Sequence, residues 1–170
     1  LPDLVDPVRA ADSGFAYAGC LPLSSFPRLR GLLLDTAGDV DFNIAFDRDQ
    51  ELRVVVKGEI DARLALRCQR CLQPMEHRVH ASMELALVAG IDEAQRLPDR
   101  YDPLLVTEKM IRPRDLIEDE LLLSLPQIPR HELGTCGAQQ VDRSDPAAEE
   151  RSVGINPFAE LAALKRGPKN

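Results

Sequence analysis

Tryptophan is absent from this 170-residue chain. With two tyrosines and five phenylalanines, aromatics make up only 4% of it. So small a supply argues against a platform on which successive bases stack. Apolar runs are short, such as Leu32-Leu33-Leu34 and Leu121-Leu122-Leu123, far from the roughly 20 residues a membrane helix needs. The opening Leu1-Pro2-Asp3-Leu4-Val5-Asp6-Pro7 has neither the basic nor the apolar stretch of a secretory leader. A cytoplasmic protein with no membrane partner is expected. Also missing are a Gly-x-x-x-x-Gly-Lys-Ser/Thr phosphate loop, a Gly-x-Gly-x-x-Gly turn, a Gly-x-Ser-x-Gly elbow and a His-Glu-x-x-His helix. No nucleophile has a base to orient it. The chain is therefore expected not to be an enzyme and to have no small-molecule substrate.

What is present suits a soluble domain. Apolar residues make up 44%, enough for a core, and charged residues 29%. Lys and Arg number 21 against 28 Asp and Glu, a net charge of −7. A chain this acidic is no general nucleic-acid binder, so any RNA contact needs a local basic patch. Four cysteines without a leader fit a reducing compartment, where a close pair reads as metal-binding or redox-active.

Periodicity predicts an α+β fold. Val40, Phe42, Ile44 and Phe46 alternate with Asp39, Asp41, Asn43 and Ala45, the period of a half-buried strand. Asp47–Gln50 reads as a hairpin loop. Leu52, Val54 and Val56 form the next strand; Ile60, Ala62, Leu64 and Leu66 follow after Gly58; then come Val79, Ala81, Met83, Leu85 and Leu87. These make an antiparallel β meander of four to six strands, barrel-like, packed with two or three short helices. Residues 1–20 read as irregular. Ser24 or Ser25 is a candidate cap for a short helix with Pro27 in its first turn. Asp92–Pro103 reads as a polar loop and Leu104–Thr107 as a short strand. Pro113 suits the first turn of a helix over Arg114–Leu125, ended by Pro126 and Pro129. Its Glu118-Asp119-Glu120 fans out around the helix and reads as a solvated face. The expected organisation is one α+β domain over 1–133, a flexible acidic linker over 134–155, and an amphipathic helix with a basic tail over 156–170.

The sharpest local feature is Cys68-Gln69-Arg70-Cys71, placed between two strands at a hairpin tip. Two thiols at this spacing form half of a zinc site. His131 and Cys136, just past the proline break, are candidates to complete a Cys₃His set; the alternative is a pair of reduced thiols at a turn. Arg63, Arg67, Arg70 and Arg78 face only Glu76 between residues 62 and 80. With Gln69 and His77 they form a basic rim around the cysteine pair. Lys165 and Arg166 add charge near the end. Arginine clusters fit phosphate oxygens bidentately, and the alternative is an ordinary solvated strand face. His77 and His80 are three apart and so point to opposite faces.

Taken together, these blocks resemble the YceD family, the large ribosomal RNA subunit accumulation proteins. The resemblance rests on Leu66-Arg67-Cys68-Gln69-Arg70-Cys71-Leu72-Gln73-Pro74, on Leu97–Pro103, and on Asp115–Pro126 with Pro129, His131 and Cys136 after it. Asn156–Lys165 is similar to the family's C-terminal signature. The resemblance covers most of the chain. It implies a role in 23S rRNA accumulation and large-subunit assembly, with 23S rRNA or its precursor as partner and no established catalytic residue. Where some relatives carry further cysteine pairs after the helix, this chain has only His131 and Cys136. The acidity leaves a second partner open, a basic large-subunit ribosomal protein that the chain would escort.

Overall fold

The computed structural model describes residues 1–132 and 134–136. Nearly all of the expected linker and the whole expected C-terminal helix, with Lys165 and Arg166, lie outside the described residues. Five strands form one sheet in chain order: β1 (Ala16–Pro22), β2 (Asp39–Arg48), β3 (Val54–Arg67), β4 (Pro74–Val88) and β5 (Asp102–Leu105). The first four pair antiparallel, as the meander requires, and β5 adds parallel to β4. The α+β class is as the pattern predicts. The sheet does not close into a barrel: β1 and β5 are its two edges.

The long hairpin of β3 and β4 follows from alternation. Every second residue from Val56 to Leu66 is buried, and Lys57, Glu59, Asp61, Arg63 and Arg67 between them are exposed. Gly58 does not divide two strands, as the sequence suggested, but sits in mid-strand on the core face. It is opposite Met83 in the register. A Cβ there would overlap the Met83 side chain, so the missing side chain admits the bulky partner.

Three helices close over one face: α1 (Pro7–Asp12), α2 (Pro27–Arg30) and α4 (Pro113–Leu123). Their Ala10, Ala11, Leu29, Ile117 and Leu121 pack with Phe26 against Val40, Ile44, Phe46, Ile60 and Leu64 of the sheet. Each large apolar side chain buried here contributes about 1.5–3 kcal/mol. A short helix, α3 (Ile91–Ala94), occupies part of the expected polar loop. Past it, Leu97 and Tyr101 cover Val55 and Ala86 at one end of the opposite face. The rest of that face is uncovered by the described residues.

Other expectations are corrected. Residues 1–20 are not irregular: they hold α1, capped by the Asp6 carboxylate on the Val8 and Arg9 N–H groups, and the edge strand β1. β2 runs two residues past Phe46, through Asp47 and Arg48 of the expected loop. Neither Ser24 nor Ser25 caps α2. Its first residue follows Phe26, and the cap comes from ninety residues away. Glu118 is buried at 2% exposure and is not part of a solvated face. Its carboxylate accepts the N–H groups of Arg28 at 2.6 Å and Leu29 at 3.1 Å, and the Arg28 Nε–H at 2.9 Å. Asp119 takes the same guanidinium at 2.6 Å. Burial would raise the Glu118 carboxyl, but these donors hold it below the ordinary range. The helix pair is thus joined by an acid that satisfies orphan donors at the start of α2.

Candidate metal centre and the exposed arginine face

The turn between β3 and β4 is built by its backbone. The Cys68 N–H donates to the Gln73 carbonyl at 3.0 Å, and the Leu72 N–H donates to the Cys68 carbonyl at 2.9 Å. Leu72 closes the turn in the left-handed region, at φ 61°. That conformation costs a residue with a Cβ about 1–2 kcal/mol, and the leucine is 62% exposed. Such strain concentrates at functional sites; Leu72 stands in the motif that carries the family resemblance, but nothing in the sequence pointed to this conformation.

Past α4, the chain turns back to this tip. The Gln69 N–H donates to the Pro129 carbonyl at 2.8 Å. Arg70 extends its guanidinium to the carbonyls of His131 at 3.4 Å and Glu132 at 3.3 Å. This brings the two halves of the predicted ligand set together: the ligating atoms of Cys68, Cys71, His131 and Cys136 all lie within 4.8 Å of one another. Cys68 Sγ is 3.8 Å from Cys136 Sγ, and Cys71 Sγ is 3.4 Å from His131 Nδ1. In a tetrahedral zinc site, bonds of about 2.3 Å to sulfur and about 2.0 Å to nitrogen place two sulfurs about 3.8 Å apart and a sulfur about 3.5 Å from a nitrogen. The four residues fit that shape and could hold a metal ion.

The surroundings suit a cation. His131 Nε2 lies 3.1 Å from the Pro74 carbonyl, which only accepts. Nε2 therefore carries a proton, and Nδ1 on the sulfur side is the nitrogen a metal could take, the outer-shell arrangement of metal-bound histidines; without an ion the Cys136 and Cys68 sulfurs raise the imidazole above its usual value. Burial would raise the Cys68 thiol, but the N–H groups of Cys71, His131 and Arg70 bring it down to about 5. The Arg70 guanidinium lowers Cys136. The Gln73 N–H lowers Cys71, but the Cys136 sulfur, burial and Cys68 carry it above the usual thiol value. Four protein ligands leave no open position, which is the pattern of a structural site.

The predicted basic rim separates into parts. Arg63 and Arg67 lie on the open face of β3, and neither makes an ion pair among the described residues. Arg78 is opposite Arg63 in the register and pairs with Glu76 at 3.1 Å. Gln69 is exposed at the tip. Arg70 is turned toward the ligand loop, as described. His77 belongs to the other face, where Nε2 lies 3.2 Å from the Ser124 carbonyl at the end of α4. His80 is on the open face and pairs with Asp61 at 2.8 Å. An open groove of about 920 Å³ runs along this face, lined among others by Asp39, Asp41, Asp61, Arg63 and Arg78. No helix among the described residues is long and apolar enough to cross a membrane.

The fold and the cluster define a class: α+β proteins whose sheet ends in a hairpin tip tied to a later segment by three cysteines and a histidine. Within that class the chain belongs to the YceD family. The model of that family, described as large ribosomal RNA subunit accumulation protein YceD, matches residues 56–165. A relative from Haemophilus influenzae with that same name is 34% identical over 172 residues, spanning 98% of this chain and 97% of the relative. No solved structure matches the chain significantly.

Proposed function

We propose that the protein supports accumulation of large-subunit ribosomal RNA by binding that RNA directly, with no catalytic step. The supporting observation is the position of Arg63 and Arg67. They share one exposed face, about 13 Å apart along the strand, and lead to the clamped tip. Arg63 faces Arg78 across the strands, and like charges directly opposite destabilise a sheet. A phosphate between them would remove that cost. The metal clamp serves this contact by fixing the tip, so the arginines approach the RNA from a rigid hairpin. Gln69 lies beside them. Arg70 acts through the clamp, and His77 has no part in the contact.

Crosslinking of the tagged protein in cells, followed by sequencing of attached RNA, tests the reading. A discrete peak in 23S rRNA, lost in Arg63→Glu/Arg67→Glu, is expected. Scattered background RNA, with efficient crosslinking to a basic large-subunit protein, would replace direct binding by the escort reading.

A further inference from the structure

We infer that the outer edge of β1 takes a basic, extended polypeptide segment as an added sixth strand, with its lysines or arginines laid over Ala18 and Cys20 toward Asp39 and Asp41. This goes beyond the RNA contact and does not depend on it.

The hydrogen-bond pattern identifies which groups are offered. The Phe46 N–H donates to the Phe15 carbonyl, and the Leu23 N–H to the Gly38 carbonyl. Both bonds fall in the register that pairs Tyr17 with Ile44, Gly19 with Phe42 and Leu21 with Val40. In an antiparallel pair such positions alternate with ones whose N–H and C=O point away. The odd-numbered residues of β1 therefore bond to β2, and Ala16, Ala18 and Cys20 turn their backbone groups outward. No backbone partner for these groups exists among the described residues. Pro22, whose carbonyl accepts the Ser25 hydroxyl at 2.7 Å, ends the row.

Natural edges are usually guarded by charge, proline, bulges or shortness. The opposite edge follows that rule: β5 has four residues and contains Asp102 and Pro103. β1 does not. Its seven residues carry no charge, and its only proline is the last. An unguarded edge is the template for strand addition, in which main-chain bonds give affinity and alternate side chains give specificity.

The flanking side chains specify the partner. Ala16, Ala18 and Cys20 share the open face with Asn43, Asp41 and Asp39, their cross-strand neighbours or next to them. Asp39 and Asp41 make no ion pair among the described residues. Strands lie about 5 Å apart, so a long cationic side chain on an added strand crosses the small residues of β1 and meets those carboxylates. On the other face, Phe15 is 54% exposed and stacks on Tyr17 at 6.2 Å. Apolar side chains of the added strand would pack there. The chemistry selects a segment that alternates basic with apolar residues.

The test uses the full chain and a synthetic seven-residue peptide alternating valine with lysine or arginine, its affinity measured by calorimetry. Binding is expected, weakened at least tenfold by Ala18→Pro. That change removes one outward N–H and leaves the β1–β2 ladder whole. N-methylation of alternate peptide nitrogens should act likewise, and this variant cannot unfold the protein. Asp39→Asn/Asp41→Asn should weaken binding and flatten its salt dependence. Three results would each overturn the inference. One is equal binding of a same-charge peptide with its valines grouped together. Another is unchanged binding to Ala18→Pro. The third is a β1-mediated dimer that excludes the peptide. Arg67→Glu, beyond the stretch of β3 that pairs with β2 and outside the lining of the groove that holds Asp39 and Asp41, should leave peptide binding intact while weakening the RNA contact, which separates this result from the RNA reading.

Discussion

Zinc held by the four-residue cluster should stabilise the domain by an amount the chain separation sets. The folded state offers four ligands, and the unfolded chain offers no more than the Cys68–Cys71 pair already close in sequence. Keeping His131 on the same ion after unfolding would close a loop of 60 residues from Cys71. Loop-closure entropy for that length is about 4 kcal/mol, so the unfolded chain drops the distal ligands and the folded state keeps the difference. A domain of this size shifts its midpoint by about 3–4 °C per kcal/mol. The expected loss on chelation is therefore on the order of 12–16 °C, restored by added zinc. Circular dichroism under reducing conditions reads the midpoint, and elemental analysis should find one zinc per chain. Cys136→Ser should behave like the chelated protein. Cys20→Ser should not, because Cys20 lies outside the cluster. A purified protein without metal, whose midpoint moves by less than about 2 °C on adding zinc or chelator, would refute the reasoning.

Glu118→Gln should cost about 2–3 kcal/mol in urea unfolding, since the lost bonds are charge-assisted but Arg28 is half exposed. The Glu118 carboxyl is depressed in the fold below its ordinary 4.5. Its contribution is therefore complete above that pH and fades as pH falls through the lowered value. The stability gap between wild type and Glu118→Gln should close on the acid side; a gap that persists there would show the charge is not its source. Arg63→Glu/Arg67→Glu should lower affinity for 23S fragments and reduce the log–log salt slope by about 2, with a melting midpoint that is not lowered, since a glutamate in place of Arg63 would face Arg78 with opposite charge; an unaltered slope would move the site elsewhere. Gly58→Val should destabilise by about 1–3 kcal/mol through overlap with Met83, and Met83→Ala should relieve part of it. Additive costs in that double variant would dismiss the steric account.

Alternation made β2, the second half of β3 and β4 readable, because each buries one face and wets the other. β1 escaped notice for the reason that makes it interesting: as an edge strand of Ala, Gly and Cys it buries little on either side. Gly58 misled because a strand interior normally disfavours glycine, and the reason for it sits on the neighbouring strand. The proximal half of the cluster was plain from its spacing. The distal half needed the return of the chain after α4, held by the Gln69–Pro129 and Arg70 bonds to carbonyls that no side-chain pattern reveals. Glu118 looked like its charged neighbours because helical periodicity separates faces and cannot say that one will meet the N–H groups of another helix. His77 was grouped with the arginines by sequence proximity, although the two-residue period of β4 assigns it to the face of Leu64.

Because strand order follows chain order, β1 to β4 can assemble as each successive hairpin leaves the ribosome. The ties that complete the domain come later and span the chain: the Val5–Ile111 bridge, the Glu118 cap on α2, and finally His131 and Cys136. A nascent chain stopped before these residues can have its sheet and its arginines but not a fixed tip. Closure of the cluster is thus the last event of synthesis for the described part of the chain. A truncated product would bear the basic face without the rigid geometry that presents it.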